Sequence, residues 1–345
     1  MVALLRKCIS PNASIIKFIV LLIVAIVAVI LPLLLQNPYY IQIIIMVVVN
    51  VMLAMGLVML LSSGLVTLGC AAFWAVGAYA STILVMKVGL NFWYTLFLSG
   101  IIAGVIALGT GVVIVRLSKL AFTFVTIMIG TIVYLVVGRI EFFGGWGGIV
   151  GIPKPDPISL PFDVIVNFTA RTSCYYLIIF LLLVNILVFY ALYNSRIGRA
   201  WKAIKLNPQL AETLGINTNR YALAAYIIPA VFAGIAGSFY AHTFNVVEPD
   251  SFGFWKSIYI QVYAILGGVN FYILGPVIGS MFLTLLPEIF RVAHEIEPLI
   301  TGCILLIVVI FLPGGLLSLP QYIHGSTGLE GKQNVFLRIL RRKKR

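Results

Sequence analysis

The residue types that most often bind metals or act as nucleophiles are few and scattered in this 345-residue chain. Its four cysteines, Cys8, Cys70, Cys174 and Cys303, form no Cys-x-x-Cys pair and have no metal-ligand spacing. The three histidines lie far apart in sequence. We therefore expect no metal, no cofactor and no disulfide framework, and we interpret the cysteines as buried or lipid-facing thiols.

The chain also lacks the motifs with which enzymes hydrolyse nucleotides or peptides. Its Gly331-Lys332 pair is followed by Gln333, so it does not complete a G-x-x-x-x-G-K-[ST] phosphate-binding loop. There is no His-Glu-x-x-His motif and no Ser-His-Asp order. The sequence predicts a non-catalytic protein, and any ATP that drives it must be hydrolysed by another subunit.

Composition places the chain in a membrane. Hydrophobic residues make up 62% of it and charged residues 10%, whereas soluble domains are about 45–50% apolar and about 25% charged. This excludes both a soluble enzyme and a disordered chain. The net charge of +13 would suggest nucleic acid in a soluble protein. In a membrane protein it more often reports orientation, so we expect no nucleic-acid partner.

Ten segments are apolar and long enough, at about 20 residues, to be transmembrane helices. They are residues 18–35, 41–61, 64–86, 94–115, 120–138, 174–193, 221–241, 257–273, 275–290 and 299–317. No small-x-small cleavage site follows the first segment, so we interpret it as a retained helix and not a signal peptide. The fold class predicted is an all-α integral membrane protein of about ten transmembrane helices, spanning residues 18–320.

The charges predict the orientation of these helices. With the N-terminus inside, 17 of the 23 basic residues fall in inner segments, and only two of the ten acidic residues do. The positive-inside rule therefore favours both termini inside. Residues 1–17 and 321–345 are then basic cytoplasmic termini, the second of which we expect to be attracted to anionic membrane lipid.

The predicted spans hold no clearly mid-membrane charge, which argues against a proton-coupled pump. Small residues are abundant instead, above all in the span 64–86. Two interpretations stay open here. Small residues let helices pack closely, or they break the helix and line a solute path. The candidate path residues are Gly69, Cys70, Phe73 and Gly77.

Two connections are too long to be simple turns, and long loops in compact proteins are usually functional. The outer loop 139–173 is rich in glycine and proline, and the inner loop 194–220 carries five basic residues. Within the inner loop, Asn207 and Pro208 suit the N-cap and first position of a short helix. Gly215 suits the position just after its end. This segment reads equally well as a docking element or as an ordinary cytoplasmic loop.

The inner loop also carries a family pattern. An S-x-x-G-R-A-x-x-A-I run begins at Ser195, and an A-x-x-x-G-I-N run begins at Ala211. Segments 61–81, 142–153, 230–242 and 266–281 match further motifs in the same order. The chain resembles the permease subunits of the branched-chain amino acid (Liv-type) ABC importer family over about residues 40–318. Its long outer loop and basic N-terminus are closer to the M-type subunit than to the H-type. Cys70 stands where the family commonly has histidine.

The resemblance implies an ABC importer permease bundle in the cytoplasmic (inner) membrane of a prokaryote. It implies four kinds of partner: a second permease subunit (H-type), two P-loop ATPase subunits, an extracytoplasmic solute-binding protein and membrane lipid. The solute would be a branched-chain or related neutral amino acid. Binding-protein contact would fall at Gly144, Gly145, Trp146 and Gly148. ATPase coupling would fall at Gly198, Arg199, Ala203, Asn207, Pro208, Ala211, Glu212, Gly215 and Ile216.

Two alternatives stay open from the residues themselves. One is a stand-alone secondary transporter or channel for a small neutral solute, with the glycine-rich third span as its broken helix. The other is a structural membrane subunit with no solute pathway. Solute uptake by this chain alone, without ATP, would favour the first over the importer.

Overall fold

The computed structural model describes residues 32, 37–160, 164–168, 170–269, 271–289, 302, 306 and 315–318. Its helices are α1 (Pro38–Ser62), α2 (Cys70–Met86), α3 (Phe92–Ile114), α4 (Lys119–Arg139), α5 (Arg171–Asn194), α6 (Arg196–Leu206), α7 (Pro208–Thr213), α8 (Thr218–Phe244), α9 (Phe254–Gly267) and α10 (Leu274–Ile289). Short 3₁₀ turns lie at Glu141–Phe143, Gly145–Gly147, Pro249–Phe252 and Leu316–Ser318. The strands are β1 (Ile149–Val150), β2 (Ile158–Leu160), β3 (Val164–Val166) and β4 (Val246–Val247).

Five described helices, α1, α3, α4, α5 and α8, are long and apolar enough to cross a membrane. The shortest of them, α4, has 21 residues, and at about 1.5 Å per residue it matches a hydrocarbon core of about 30 Å. The prediction of an all-α, multi-pass membrane protein is confirmed. The count of ten spans stays a prediction. Most of the segments 18–35 and 299–317, and the termini 1–17 and 321–345, lie outside the described residues.

The long helix α8 lies at the centre of the bundle and packs against α1, α2 and α3. Glycines allow this close approach. A Cβ on Gly77 of α2 would collide with the backbone of Gly234 in α8, and one on Gly237 would collide with the backbone of Trp74. Small residues therefore bring the two helix backbones together, as in other membrane bundles.

The predicted span 64–86 is helical only from Cys70 onwards. Residues 64–69, which we call the linker 64–69, are not helical. Gly64 turns the chain with a φ of +83°, which glycine adopts without the steric cost that other residues meet. The continuous helix expected over 64–86 is wrong for its first six positions, because side-chain hydroxyls bond the linker backbone in place of a helical ladder.

The helix ends fall on two opposite ends of the bundle. At one end, here the basic end, Gly64 lies against Lys119 and Lys205. At the opposite end, the outer-loop end, the Nη1 atom of Arg171 donates to the Pro38 carbonyl at 3.1 Å. The inner loop therefore lies beside the end of α1 and the start of α4, as the charge distribution predicts.

The outer loop is tied to the end of α8 by a short sheet. Strand β1 pairs antiparallel with β4, and β2 pairs antiparallel with β3 in a separate hairpin. Asn245 follows α8 in the left-handed conformation with φ of 60°. Its Nδ2 atom donates to the Ile152 carbonyl at 2.6 Å. The glycine-rich loop is therefore an ordered part of the bundle.

Candidate functional site

The inner loop folds as two helices, α6 and α7, separated by Asn207; we call residues 195–216 the α6–α7 corner. The Asn207 side chain accepts a hydrogen bond from the Leu210 N–H at 3.2 Å, with Pro208 in the first helical position. Gly215 has φ of +81°, and its N–H bonds to the Glu212 carbonyl at 2.9 Å. The short capped helix predicted from the sequence is present, with its last helical residue at Thr213.

Three leucines project from this corner into solvent. Leu206, Leu210 and Leu214 are 87%, 59% and 72% exposed. Ala211 is buried, so the apolar residues of α7 are divided between an inward and an outward side. Sequence reasoning missed Leu206, although its spacing of four residues from Leu210 was the available signal. Solvent-exposed leucines in a row are typical of a surface that a partner covers.

The corner is anchored to the bundle behind it. Trp201 is fully buried, and its Nε1 atom donates to the Tyr221 carbonyl of α8 at 2.8 Å. Gly198 lies so close to the Tyr193 backbone that a Cβ there would collide with it. The structure places the predicted coupling residues along this one corner. A force on the corner would therefore reach the membrane helices directly.

A small cavity lies between α1, α2, α8 and the linker 64–69. Its volume is about 30 Å³, room for about two water molecules by the usual measure. Its lining residues are Leu53, Gly56, Leu57, Leu60, Thr67, Cys70, Phe73, Tyr226, Pro229, Ala230 and Ala233. The lining holds no charged residue and is mostly apolar.

The four candidate path residues are therefore separated. Cys70 and Phe73 line the cavity. Gly69 lies against the Thr126 backbone of α4, and Gly77 packs on Gly234 of α8. Sequence reasoning also missed the contribution of α8, where Pro229 interrupts the helical hydrogen bonds.

Hydroxyl side chains of α4 form hydrogen bonds with backbone groups of the non-helical linker. The Thr123 Oγ1 atom donates to the Val66 carbonyl at 2.8 Å. The Leu68 N–H donates to Thr126 Oγ1 at 3.4 Å. These threonines lie about 6–10 Å along α4 from its first residue. Irregular backbone at membrane depth is tolerated only where protein or water satisfies it, and here the side chains of α4 do so.

The glycine-rich outer turn presents a tryptophan. Gly144, Gly145 and Gly148 all have positive φ, between +59° and +86°. Trp146 between them is 51% exposed, and its ring packs edge-on to Tyr134 with centroids 5.2 Å apart. The four predicted binding-protein contacts thus lie in one turn at the outer-loop end.

Comparison with known proteins identifies the chain. The family described as branched-chain amino acid transport system / permease component matches residues 39–313. The chain belongs to this family. No solved structure matches it.

Three relatives refine the assignment. The permease protein LivM of the high-affinity branched-chain amino acid transport system of Salmonella typhimurium is 31% identical over 309 residues, covering 84% of this chain and 72% of the relative. LivM of Escherichia coli is 31% identical over 306 residues, with 83% and 72% covered. LivH of Escherichia coli is 27% identical over 157 residues, with 45% and 50% covered. The M-type likeness thus extends over more of the permease than the H-type likeness.

A buried polar network joins the outer loop of this permease to its bundle. The Nδ1 atom of His242 lies 2.7 Å from the Pro153 carbonyl and its Nε2 atom 3.0 Å from the Ser81 hydroxyl. The Ser238 hydroxyl donates to Ser81 at 2.7 Å, and Ser81 bonds Thr95 at 3.2 Å. Because a carbonyl only accepts, the His242 Nδ1 atom carries a proton. Sequence reasoning missed this network.

Among the described residues, no three His, Cys, Asp or Glu side chains are grouped so that they could hold a metal ion. Three other features distinguish this part of the chain. They are a capped corner with exposed leucines, a cavity beside a broken helix, and an ordered outer turn.

Proposed function

We propose that this permease is a non-catalytic translocation subunit of an ABC importer in the cytoplasmic membrane of a prokaryote. The α6–α7 corner is the single observation that carries the proposal. A stand-alone transporter has no need for three exposed leucines at a corner that is anchored to the membrane bundle. A separate ATPase subunit would cover them and push on the corner.

The proposed partners follow from the family. The chain would pair with a second, H-type permease subunit, and two P-loop ATPase subunits would bind the basic end. An extracytoplasmic solute-binding protein would bind the outer-loop end at Gly144, Gly145, Trp146 and Gly148. The exposed Trp146 ring supports this contact, since aromatic side chains are enriched in protein interfaces.

The proposed solute is a branched-chain or related neutral amino acid, since the LivM relatives are named for branched-chain amino acid transport. The cavity supports a neutral or zwitterionic solute because its lining is uncharged and mostly apolar. We assign Cys70 and Phe73 to the wall of the path. Gly69 and Gly77 would act by letting α2 approach α4 and α8 closely.

The docking proposal is tested by Leu210→Asp in the full chain, co-expressed with its partner subunits. A buried carboxylate in an apolar contact is costly, so we expect recovery of the ATPase subunits with the permease to fall at least tenfold. ATP-driven leucine uptake in proteoliposomes should fall with it. The readouts are co-purification and uptake per assembled complex.

The matched control is Gln209→Asp, which adds the same charge at the neighbouring exposed position of α7. It should leave recovery within twofold, because an acid in the first turn suits a helix N-terminus. Equal recovery with Leu210→Asp and Gln209→Asp would contradict the docking role. Full leucine uptake by the unmodified chain alone, without ATP, would instead favour the stand-alone transporter or channel.

A further inference from the structure

The linker 64–69 touches the inner loop at one end and the cavity at the other. A Cβ built on Gly64 would lie 3.1 Å from the Cα atom of Lys205 and 3.5 Å from the Nζ atom of Lys119. A side chain at Gly64 would therefore make the linker or α6 shift by a few tenths of an ångström. At the other end, Thr67 and Cys70 line the cavity. A short non-helical stretch therefore connects the last turn of α6 to the cavity wall.

The linker is held by side-chain hydrogen bonds and not by a helical ladder. Its Val66 carbonyl and Leu68 N–H bond to threonines of α4, and the Gly69 N–H bonds to Thr67 Oγ1 at 3.2 Å. The first turn of α2 is tied to α9, since the Ala71 N–H donates to Ser257 Oγ at 3.1 Å. Each of these hydrogen bonds contributes only about 0.5–1.5 kcal/mol, and the linker has no helical ladder, so a small shift that keeps these bonds meets less resistance than a shift of a packed helix.

The inner loop also contacts α8, but α8 is less free to move. Trp201 bonds the Tyr221 carbonyl near the start of α8. Further along, α8 is packed backbone to backbone against α2 at Gly234 and Gly237. Close-packed interiors resist displacement. The linker has one comparable contact, Gly69 against the Thr126 backbone, so of the two routes from α6 to the cavity it is the one with fewer backbone-to-backbone contacts.

We propose that the contact of Gly64 with Lys205 carries movement of the α6–α7 corner to the cavity, which makes Gly64 a positioning residue of the transport cycle. Displacement of α6 pushes Lys205 against the linker, and the Cys70 end of α2 moves relative to Tyr226 across the cavity. This inference rests on the proposed function, because a partner must move the corner.

Cys70 supplies a built-in reporter, since its side chain lines the cavity. The experiment uses the full chain assembled with its permease and ATPase partners, with Cys8, Cys174 and Cys303 replaced by alanine. The labelling rate of Cys70 by a small methanethiosulfonate reagent is measured at rest and after trapping with ATP and vanadate. We expect the two rates to differ at least fivefold in this parent complex and less than twofold with Gly64→Ala.

Gly89→Ala is the matched control for backbone strain. Gly89 has φ of +76°, close to that of Gly64, but a Cβ there would meet nothing within 4 Å. Its variant should keep the full difference between the two states. An equal response with Gly64→Ala and Gly89→Ala would overturn the proposal. Equal Cys70 labelling rates at rest and after trapping in the parent complex would overturn it too.

A second pair of variants tests the linker without touching Gly64. Thr123→Val removes the bond to the Val66 carbonyl, whereas Thr131→Val removes only a bond to Ile127 within α4 itself. We expect the nucleotide response to fall at least twofold with Thr123→Val and to persist with Thr131→Val. Equal responses in this pair would overturn the proposal even if Gly64→Ala fails to assemble. Failure of the proposed function is seen separately, as absence of ATPase subunits from the purified unmodified chain.

Discussion

The imidazole of His242 joins parts of the chain that are far apart in sequence. It bonds the outer loop at Pro153 and the α2 hydroxyl of Ser81, which in turn bonds α3 and α8. All four side chains of the network are buried. A buried polar group that loses its partner costs about 1–3 kcal/mol, so each member depends on the others.

We expect His242→Ala to lower the free energy of unfolding by about 3 kcal/mol. The substitution leaves a void, and it leaves the buried Pro153 carbonyl and Ser81 hydroxyl without their histidine partner. The measurement is thermal unfolding of the purified protein in detergent. His242→Asn should recover part of the loss, because its amide can donate to the Pro153 carbonyl. Unfolding temperatures that coincide for the histidine and alanine forms would contradict this role.

At the scale of elements, the contact of α2 with α8 depends on glycines. Gly77→Ala forces a methyl group against the Gly234 backbone, and overpacking of this kind costs about 1–3 kcal/mol. We expect a lower unfolding temperature and less assembled permease. If Gly77 acted instead as a path residue, leucine uptake would fall while stability stayed unchanged.

Gly109→Ala provides the comparison within α3. A Cβ there would meet nothing within 4 Å, and alanine favours a helix interior over glycine by about 0.5–1 kcal/mol. The same substitution should therefore be neutral or stabilising at Gly109. A loss of stability at Gly109 as large as that at Gly77 would show that packing is not the cause.

The sequence predicted those helices that are specified by residues close together in the chain. Continuous apolar runs predicted the five long helices, and Asn207, Pro208 and Gly215 predicted a capped helix because capping acts over a few residues. The break before Cys70 was only one of two interpretations of the small residues. Its cause lies in Thr123 and Thr126 of α4, more than fifty residues away in sequence, and no local pattern carries such contacts.

At the scale of the whole molecule, the two ends of the bundle predict the topology. The basic end would face the cytoplasm and the outer-loop end the outside, with both termini inside. In a chain without its native cysteines, Asn194→Cys and Gly325→Cys should react only with reagent applied from the cytoplasmic side. Pro157→Cys should react only from outside. A reversal at any of the three positions would contradict the ten-span arrangement.

The central place of α8 has a consequence for how the chain is made. Helices α2 and α3 enter the membrane before α8 is synthesised, and at about 5–20 residues per second the delay between α3 and α8 is about 5–20 s. During that interval the glycine faces of α2 and α3 contact lipid, and the Ser81 hydroxyl lacks its Ser238 and His242 partners from α8. Biogenesis therefore passes through an unfinished groove, which a nascent chain cut short before α8 would display permanently to membrane quality control.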